Sequence, residues 1–273
     1  MWPALISPSL STIPCSRLSA PIVLAHGLLG FRRIGLGPVT LAWYFREIPG
    51  ILRAAGNRVL VTRVHPTAGS ERRAKMLGEQ ILASFPDEPV HLIGHSMGGL
   101  DARALVADRS WEGRILSLTT IATPHLGSGI ADFAKLRVGR IFHLLEHLGV
   151  DHRGFLDVTP GSAAEFHRRT PAPGWLPTFS VAGDPPADEV CWPLQRLNAA
   201  LGELEGPNDG LVSVRSATAF GSDLPSWPVD HFRQMNWLPP EGNGHPDAHV
   251  ARLYADVVEN LAGLEFEQDD RSR

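Results

Sequence analysis

Cysteine is scarce in this 273-residue chain: only Cys15 and Cys191 are present, so no framework of disulfides organises it. The two lie far apart, could meet only through the fold, and read as unpaired thiols. Long hydrophobic runs are absent as well, and no stretch of about 18 uncharged apolar residues could span a bilayer as a helix. Residues 1–20 are interrupted by Pro3, Pro8 and Pro14 and lack a basic segment leading into a long apolar one. That pattern is unlike a secretory leader, and the expected location is the cytoplasm. Charge of one sign does not accumulate either; the formal net charge of −4 gives no reason to expect a nucleic-acid partner. Internal repeats and low-complexity tracts are missing. What is present is ordinary globular material, 43% hydrophobic, in a length that suits one sizeable domain over residues 1–273. A core of that size needs no metal or disulfide for stability.

Short β-branched apolar runs are bounded by turn residues at 21–25, 58–64, 90–93, 115–121 and 178–181, with Leu211-Val212 as a shorter candidate. They are mostly apolar and do not alternate strictly, as strands buried on both faces of a parallel sheet are. Between them, 39–55, 70–85 and 97–107 carry apolar residues at helical spacing, and a last helix is predicted from Pro246 to Leu261. The pattern predicts a doubly wound α/β domain, a mostly parallel sheet flanked by helices. Residues 129–149 carry an extra amphipathic stretch that suits either a cap over a site or a core-facing helix, and 129–157 is the candidate insertion. The stretches 170–177 and 222–228 read as loops, and 265–273 as a charged, solvated tail.

The most informative segment is Val90-His91-Leu92-Ile93-Gly94-His95-Ser96-Met97-Gly98-Gly99. Gly94, Ser96 and Gly98 form Gly-x-Ser-x-Gly between a buried strand and a helix. A serine on such a sharp strand-to-helix turn has strained backbone angles, and small residues two positions away let the turn close. The hydroxyl is lifted above the sheet near a helix N-terminus, which favours a developing anion. A second signal, His26-Gly27-Leu28-Leu29-Gly30, follows the first strand directly. Acyl transfer through a tetrahedral intermediate needs preorganised donors, and the amides of Leu28 and Met97 are the candidate oxyanion pair. His26 is expected to brace that loop without transferring protons, and His95 to pack beneath the serine.

Serine needs a base, and the base needs an orienting carboxylate. In this strand–turn–helix arrangement the acid precedes the histidine in the chain. Asn208-Asp209-Gly210-Leu211-Val212 places an acid in a tight turn, and His231 follows at a spacing of 22 residues. Asp209 is the predicted orienting carboxylate and His231 the general base and acid. Asp230 adjoins His231, and chain neighbours point apart, so it is the poorer orienter. His245, Asp247 and His249 have a spacing that could ligate a metal, but they stand where a surface helix begins, and no metal is expected. Asp101 and Arg103 are read as a structural ion pair. Leu29 and Phe31 are weaker candidates for an acyl-chain wall.

With these residues in place, the sequence resembles bacterial triacylglycerol lipases of the Pseudomonas, Burkholderia and Proteus kind. The likeness rests on Pro21–Gly30, Leu92–Gly99, Ala122-Thr123-Pro124-His125-Leu126-Gly127-Ser128, Asn208–Val212 and Asp230-His231. It covers roughly residues 21–130 and 205–260. It implies an α/β-hydrolase fold under a helical lid, reduced here because the chain is short, and hydrolysis of carboxylic esters without a cofactor. The implied substrate is a small-molecule or lipid ester, with transient contact at a lipid interface and shorter, more soluble esters favoured. An acyltransferase or thioesterase using the same triad, and a non-catalytic lipid-binding member of the fold, are the alternatives. The family's structural calcium is bound partly two residues after the catalytic histidine. Here Arg233 stands there, with Trp237 four further on, which argues against a calcium site.

Overall fold

The structure, a computed structural model, describes residues 13–28, 34–36, 39–42, 44–131, 151–237 and 248–271. Within these, six parallel strands make one sheet: β1 (Ile22–Ala25), β4 (Val59–Val61), β5 (Val90–His95), β6 (Ile115–Ile121), β7 (Thr178–Val181) and β8 (Ser222–Asp223). Their spatial order is β4-β1-β5-β6-β7-β8. The hydrophobic runs form strands because each has two faces to bury. On β1, Ile22 and Leu24 face one core, while Val23 and Ala25 face the other. The first core closes against α1 (Ile48–Ala54) and α8 (Ala248–Arg271), through Ile48, Leu52, Tyr254, Val257 and Leu261. The second closes against α2 (Ser70–Ser84) and α3 (Met97–Val106), through Ala74, Leu77, Ile81, Ala102 and Val106. Truncating a fully buried residue such as Leu77 to Ala would cost about 2–5 kcal/mol.

Several elements differ from the pattern reading. Residues 39–55 are not one helix. Val39–Ala42 is a strand, β3, paired antiparallel with β2 (Ile34–Leu36), and α1 begins only at Ile48, where Pro49 occupies its first turn. β-Branched Val39 and Thr40 suit the strand better than helical spacing suggested. Leu211-Val212 is not a strand; its amides close the turn that holds Asp209. The last strand instead lies at Ser222–Asp223, inside a stretch read as a loop. The charged tail is helical as far as Arg271. It docks through the Glu265 carboxylate, which accepts from the amides of Ser19 and Ala20 at 2.8 and 2.9 Å.

The 129–149 stretch enters a helix at 129–131, but 132–150 lie outside the described residues. Beyond it, α4 (Arg153–Asp157) and α5 (Pro160–Arg169) follow. α4 docks on the start of α2, where Asp157 accepts from the Ser70 amide at 2.7 Å and the Gly154 amide donates to the Thr67 carbonyl at 3.0 Å. α6 (Gln195–Glu205) and α7 (Val214–Ala217) flank the segment bearing Asp209. The C-terminal ends of β1, β5, β6 and β7 converge on one edge, where this class of sheet places its sites. Gly27, Ser96, Thr123 and Gly183 come off those four strand ends.

Candidate active site

Ser96 joins β5 to α3 with φ 54° and ψ −130°, a conformation that costs a non-glycine residue about 1–3 kcal/mol. The ladder holds it there: the Ser96 amide donates to the Ile121 carbonyl at 2.8 Å, continuing the β5–β6 pairing into the turn. Close approach explains the flanking glycines. A Cβ on Gly98 would lie 2.3 Å from the Ala25 carbonyl oxygen, and one on Gly94 would lie 2.6 Å from the Gly99 Cα. The elbow therefore forms only where β1 and α3 can touch backbone to backbone. Ser96 is half-buried and opens onto a cavity of about 430 Å3.

Asp209 and His231, 22 residues apart in sequence, meet here. The His231 Nδ1–H donates to Asp209 Oδ2 at 2.8 Å, and the His231 amide donates to the Asp209 carbonyl at 3.0 Å. The carboxylate's other oxygen accepts from the amides of Leu211 and Val212 at 3.0 and 2.8 Å. Burial raises its proton affinity, but the His231 charge, the His231 hydrogen bond and those two amides prevail and hold Asp209 below the ordinary carboxylate value. His231 Nε2 is left for the cavity, which Ser96 and His231 both line. Among the described residues no hydrogen bond joins Ser96 to His231; such contacts are often long without substrate and tighten when it binds.

The two amides expected to form an oxyanion pair, those of Leu28 and Met97, are held by different devices. The Met97 amide opens α3, where the first amides have no intrahelical acceptor. The Leu28 amide shares a planar peptide with the Gly27 carbonyl, so fixing one fixes the other. That carbonyl accepts from the Arg73 guanidinium at 3.2 Å and from His26 Nδ1 at 3.0 Å, which turns the Leu28 N–H away from Arg73. Gly27 is required by contact: a Cβ there would sit 2.6 Å from the Tyr44 oxygen and 2.8 Å from Ser96 Cβ. The Val64 amide approaches His26 Nε2 at 3.4 Å, so Nε2 accepts and Nδ1 carries the proton. Burial, aided by the Arg73 charge, pushes His26 down to about 4, in keeping with a neutral brace.

His95 lies fully buried beneath the serine, its ring centroid 4.8 Å from that of His231. Its partners are Tyr44 and Gln234, at 2.8 and 2.9 Å. Neither residue carried a motif, nor did Arg73, whose Nε donates to both Asp101 oxygens at 3.0 and 2.9 Å. The expected Asp101–Arg103 pair is therefore replaced by Asp101–Arg73. Two positions apart on one helix, Asp101 and Arg103 point to different faces, and Arg103 donates to the Thr170 carbonyl and to His125 instead. Asp230 does point away from the His231 ring. One oxygen accepts from the amides of Phe232 and Arg233, the other from that of Cys191.

The cavity wall is apolar, with Leu28, Phe155, Leu156, Val158, Phe232 and Met235 among its residues. Leu29 and Phe31 lie outside the described residues, as do His245 and Asp247. A calcium does not fit the position two residues after His231. Arg233 is buried there, with Nε 3.5 Å from Asp230 Oδ2, and places a fixed positive charge on the carboxylate a cation would need. Cys15 and Cys191 are free thiols.

The sheet order, the strained serine elbow and the facing acid–histidine pair are those of an α/β-hydrolase fold, and the family described as "alpha/beta hydrolase fold" matches residues 66–146. In sequence the chain is similar to lipases. It is 36% identical to a triacylglycerol lipase of Vibrio cholerae over 140 residues, 50% of this chain and 42% of that one. It is 31% identical to triacylglycerol lipase 2 of Saccharomyces cerevisiae over 213 residues, 71% of this chain and 62% of that one. The matches thus span less than two thirds of either relative. In structure it is similar to Staphylococcus hyicus lipase, with a TM-score of 0.70 at 18% identity, covering 92% of this chain and 97% of that one. A metagenomic carboxyl esterase gives 0.71 at 19% identity, covering 90% and 78%.

Proposed function

We propose that the chain is a serine carboxylic ester hydrolase that cleaves acyl esters through an acyl-enzyme, with Ser96, His231 and Asp209 as its triad. The observation that carries this reading is the Asp209–His231 hydrogen bond at 2.8 Å, set in the same cavity as a strained, half-buried serine. Ser96 Oγ attacks the ester carbon while His231 Nε2 takes its proton; Asp209 holds the proton on Nδ1, so that Nε2 is free to accept. The Leu28 and Met97 amides bind the oxyanion. His231 then protonates the leaving alcohol, and water, deprotonated by the same imidazole, releases the acid and restores Ser96. No cofactor takes part in this sequence.

The apolar wall suits the hydrocarbon chain of the acid, and a lipid ester or a shorter, soluble ester is the proposed substrate. The test is hydrolysis of a chain-length series of p-nitrophenyl esters, with covalent labelling by a fluorophosphonate. Wild-type protein is expected to hydrolyse and to be labelled at Ser96, and Ser96→Ala to do neither. Full activity in Ser96→Ala would overturn the proposal.

A further inference from the structure

Beneath the triad runs a second set of hydrogen bonds that the hydrolytic steps do not use. Gln234 Nε2 lies 3.1 Å from Asp209 Oδ2 and 3.3 Å from the Val229 carbonyl, and its Oε1 lies 2.9 Å from His95 Nε2. Because Nε2 faces two acceptors, the amide orientation is fixed, and Oε1 must receive a proton from His95. His95 therefore carries its proton on Nε2, which leaves Nδ1 to accept from the Tyr44 hydroxyl at 2.8 Å. The donors all run one way, from Tyr44 on the cavity wall through His95 and Gln234 to Asp209. Every member is buried. The backbone makes room for it: a Cβ on Gly183, at the end of β7, would lie 2.2 Å from Gln234 Nε2 and 2.7 Å from Asp209 Cβ.

We propose that Gln234 is a positioning residue for the triad acid, holding Asp209 Oδ2 against the His231 Nδ1–H and sharing that oxygen's negative charge. The proposal rests on the hydrolase reading given above. A carboxylate oxygen shared between imidazole and amide is a weaker acceptor for the imidazole than one engaged by the imidazole alone. The amide thus limits how strongly Asp209 favours protonated His231, and it fixes the carboxylate rotamer. Other charged groups near the contact act elsewhere. Asp230 is occupied by the amides of Phe232, Arg233 and Cys191, Arg233 faces Asp230, Asp184 beyond Gly183 is exposed, and His95, kept neutral by burial, is pushed down to about 3.

The test compares Gln234→Met, which removes both hydrogen bonds, with Gln234→Glu, which keeps an acceptor for His95 but sets a second carboxylate against Asp209. Ester hydrolysis is measured from pH 5 to 9, per active site titrated with fluorophosphonate. In both variants the acid limb of kcat/KM is expected to move up, by about one pH unit for Gln234→Glu. kcat per titrated site is expected to fall about 10- to 100-fold with KM little changed. The near-isosteric Gln234→Glu carries the test if Gln234→Met does not fold. An acid limb coincident with that of the parent, with activity lost only as titratable sites are lost, would overturn the proposal. The proton resonance of His231 Nδ1–H gives a readout that needs no turnover, and it is expected to shift between parent and variant. If the parent hydrolyses no ester, that failure belongs to the hydrolase reading. The resonance then decides the positioning role, and an unmoved signal refutes it.

Discussion

The Arg73 guanidinium, on α2, reaches across to the loop that follows β1 and donates to the carbonyls of His26 and Gly27 at 2.7 and 3.2 Å. Asp101 on α3 neutralises it with both carboxylate oxygens, and neither side chain meets solvent. One buried cation thus ties the first strand–loop junction to α2 and α3. The arrangement makes the direction of the Leu28 amide depend on residues far from it in sequence.

Arg73→Met should therefore fail in two separable ways. Leaving Asp101 as an unpaired buried charge is expected to cost about 3–5 kcal/mol in urea unfolding. Freeing the Gly27–Leu28 peptide is expected to lower kcat by about 10²-fold in the molecules that remain folded, counted by fluorophosphonate titration. Wild-type kcat per titrated site would show that the loop needs no such anchor.

Asp209→Asn tests the tautomer argument. The asparagine amide can still approach His231 but donates where the carboxylate accepts, so the imidazole proton moves to Nε2 and the base is lost. A fall of about 10⁴-fold in kcat with an almost unchanged Tm is expected. A fall of less than tenfold, measured with p-nitrophenyl butyrate, would mean that another group orients the ring.

Glycine substitutions should sort by what the new methyl group meets. Gly27→Ala places carbon 2.6 Å from the Tyr44 oxygen and 2.8 Å from Ser96 Cβ, and should abolish activity by displacing the loop or the serine. Gly263→Ala, inside α8 with nothing within 4 Å, should stabilise the fold by about 0.5–1 kcal/mol with activity intact. Thermal melts and initial rates on the two variants check both halves.

Stability should fall in mild acid. Burial holds His26 at about 4, His95 at about 3 and His125 well below its ordinary value of 6.5, in each case aided by neighbouring positive charge. The unfolded chain binds those protons below about pH 6.5 and the folded chain does not, so their contribution is full above that pH and is lost as pH drops toward 4. By pH 5 His26 and His95 should each cost about 1–2 kcal/mol, with His125 acting in the same direction. Asp101 offsets part of this, because burial lifts its carboxyl to about 6 against the pull of Arg73, and its contribution grows as pH falls through that value. Urea midpoints at pH 7 and 5 give the net effect; a higher midpoint at pH 5 would contradict it.

Local chemistry explains what could be read from the chain alone. Gly94, Ser96 and Gly98 announce the elbow because a strand-to-helix turn that sharp tolerates few residue types. Asp209 stands out because Asn208 and Gly210 mark a tight turn around an acid. The β-strands are visible because two-sided burial favours short runs rich in apolar and β-branched residues, as in Ile115–Ile121. The β2–β3 hairpin is not legible in the sequence because Val39–Ala55 also fits a helical spacing, and neither is the end of α8, because its last turns are charged.

Residue order alone thus pointed to the serine elbow, the candidate oxyanion loop and the candidate acid and base, since each is a short segment whose backbone or chemistry restricts its composition. Only the tertiary structure decided that Arg73 rather than Arg103 neutralises Asp101, and that Tyr44, His95 and Gln234 stand in line behind Asp209. Arginine, tyrosine and glutamine are common residues with no local signature. Their roles come from burial, which removes water as an alternative partner and leaves each polar atom dependent on whichever distant group the fold brings within about 3 Å.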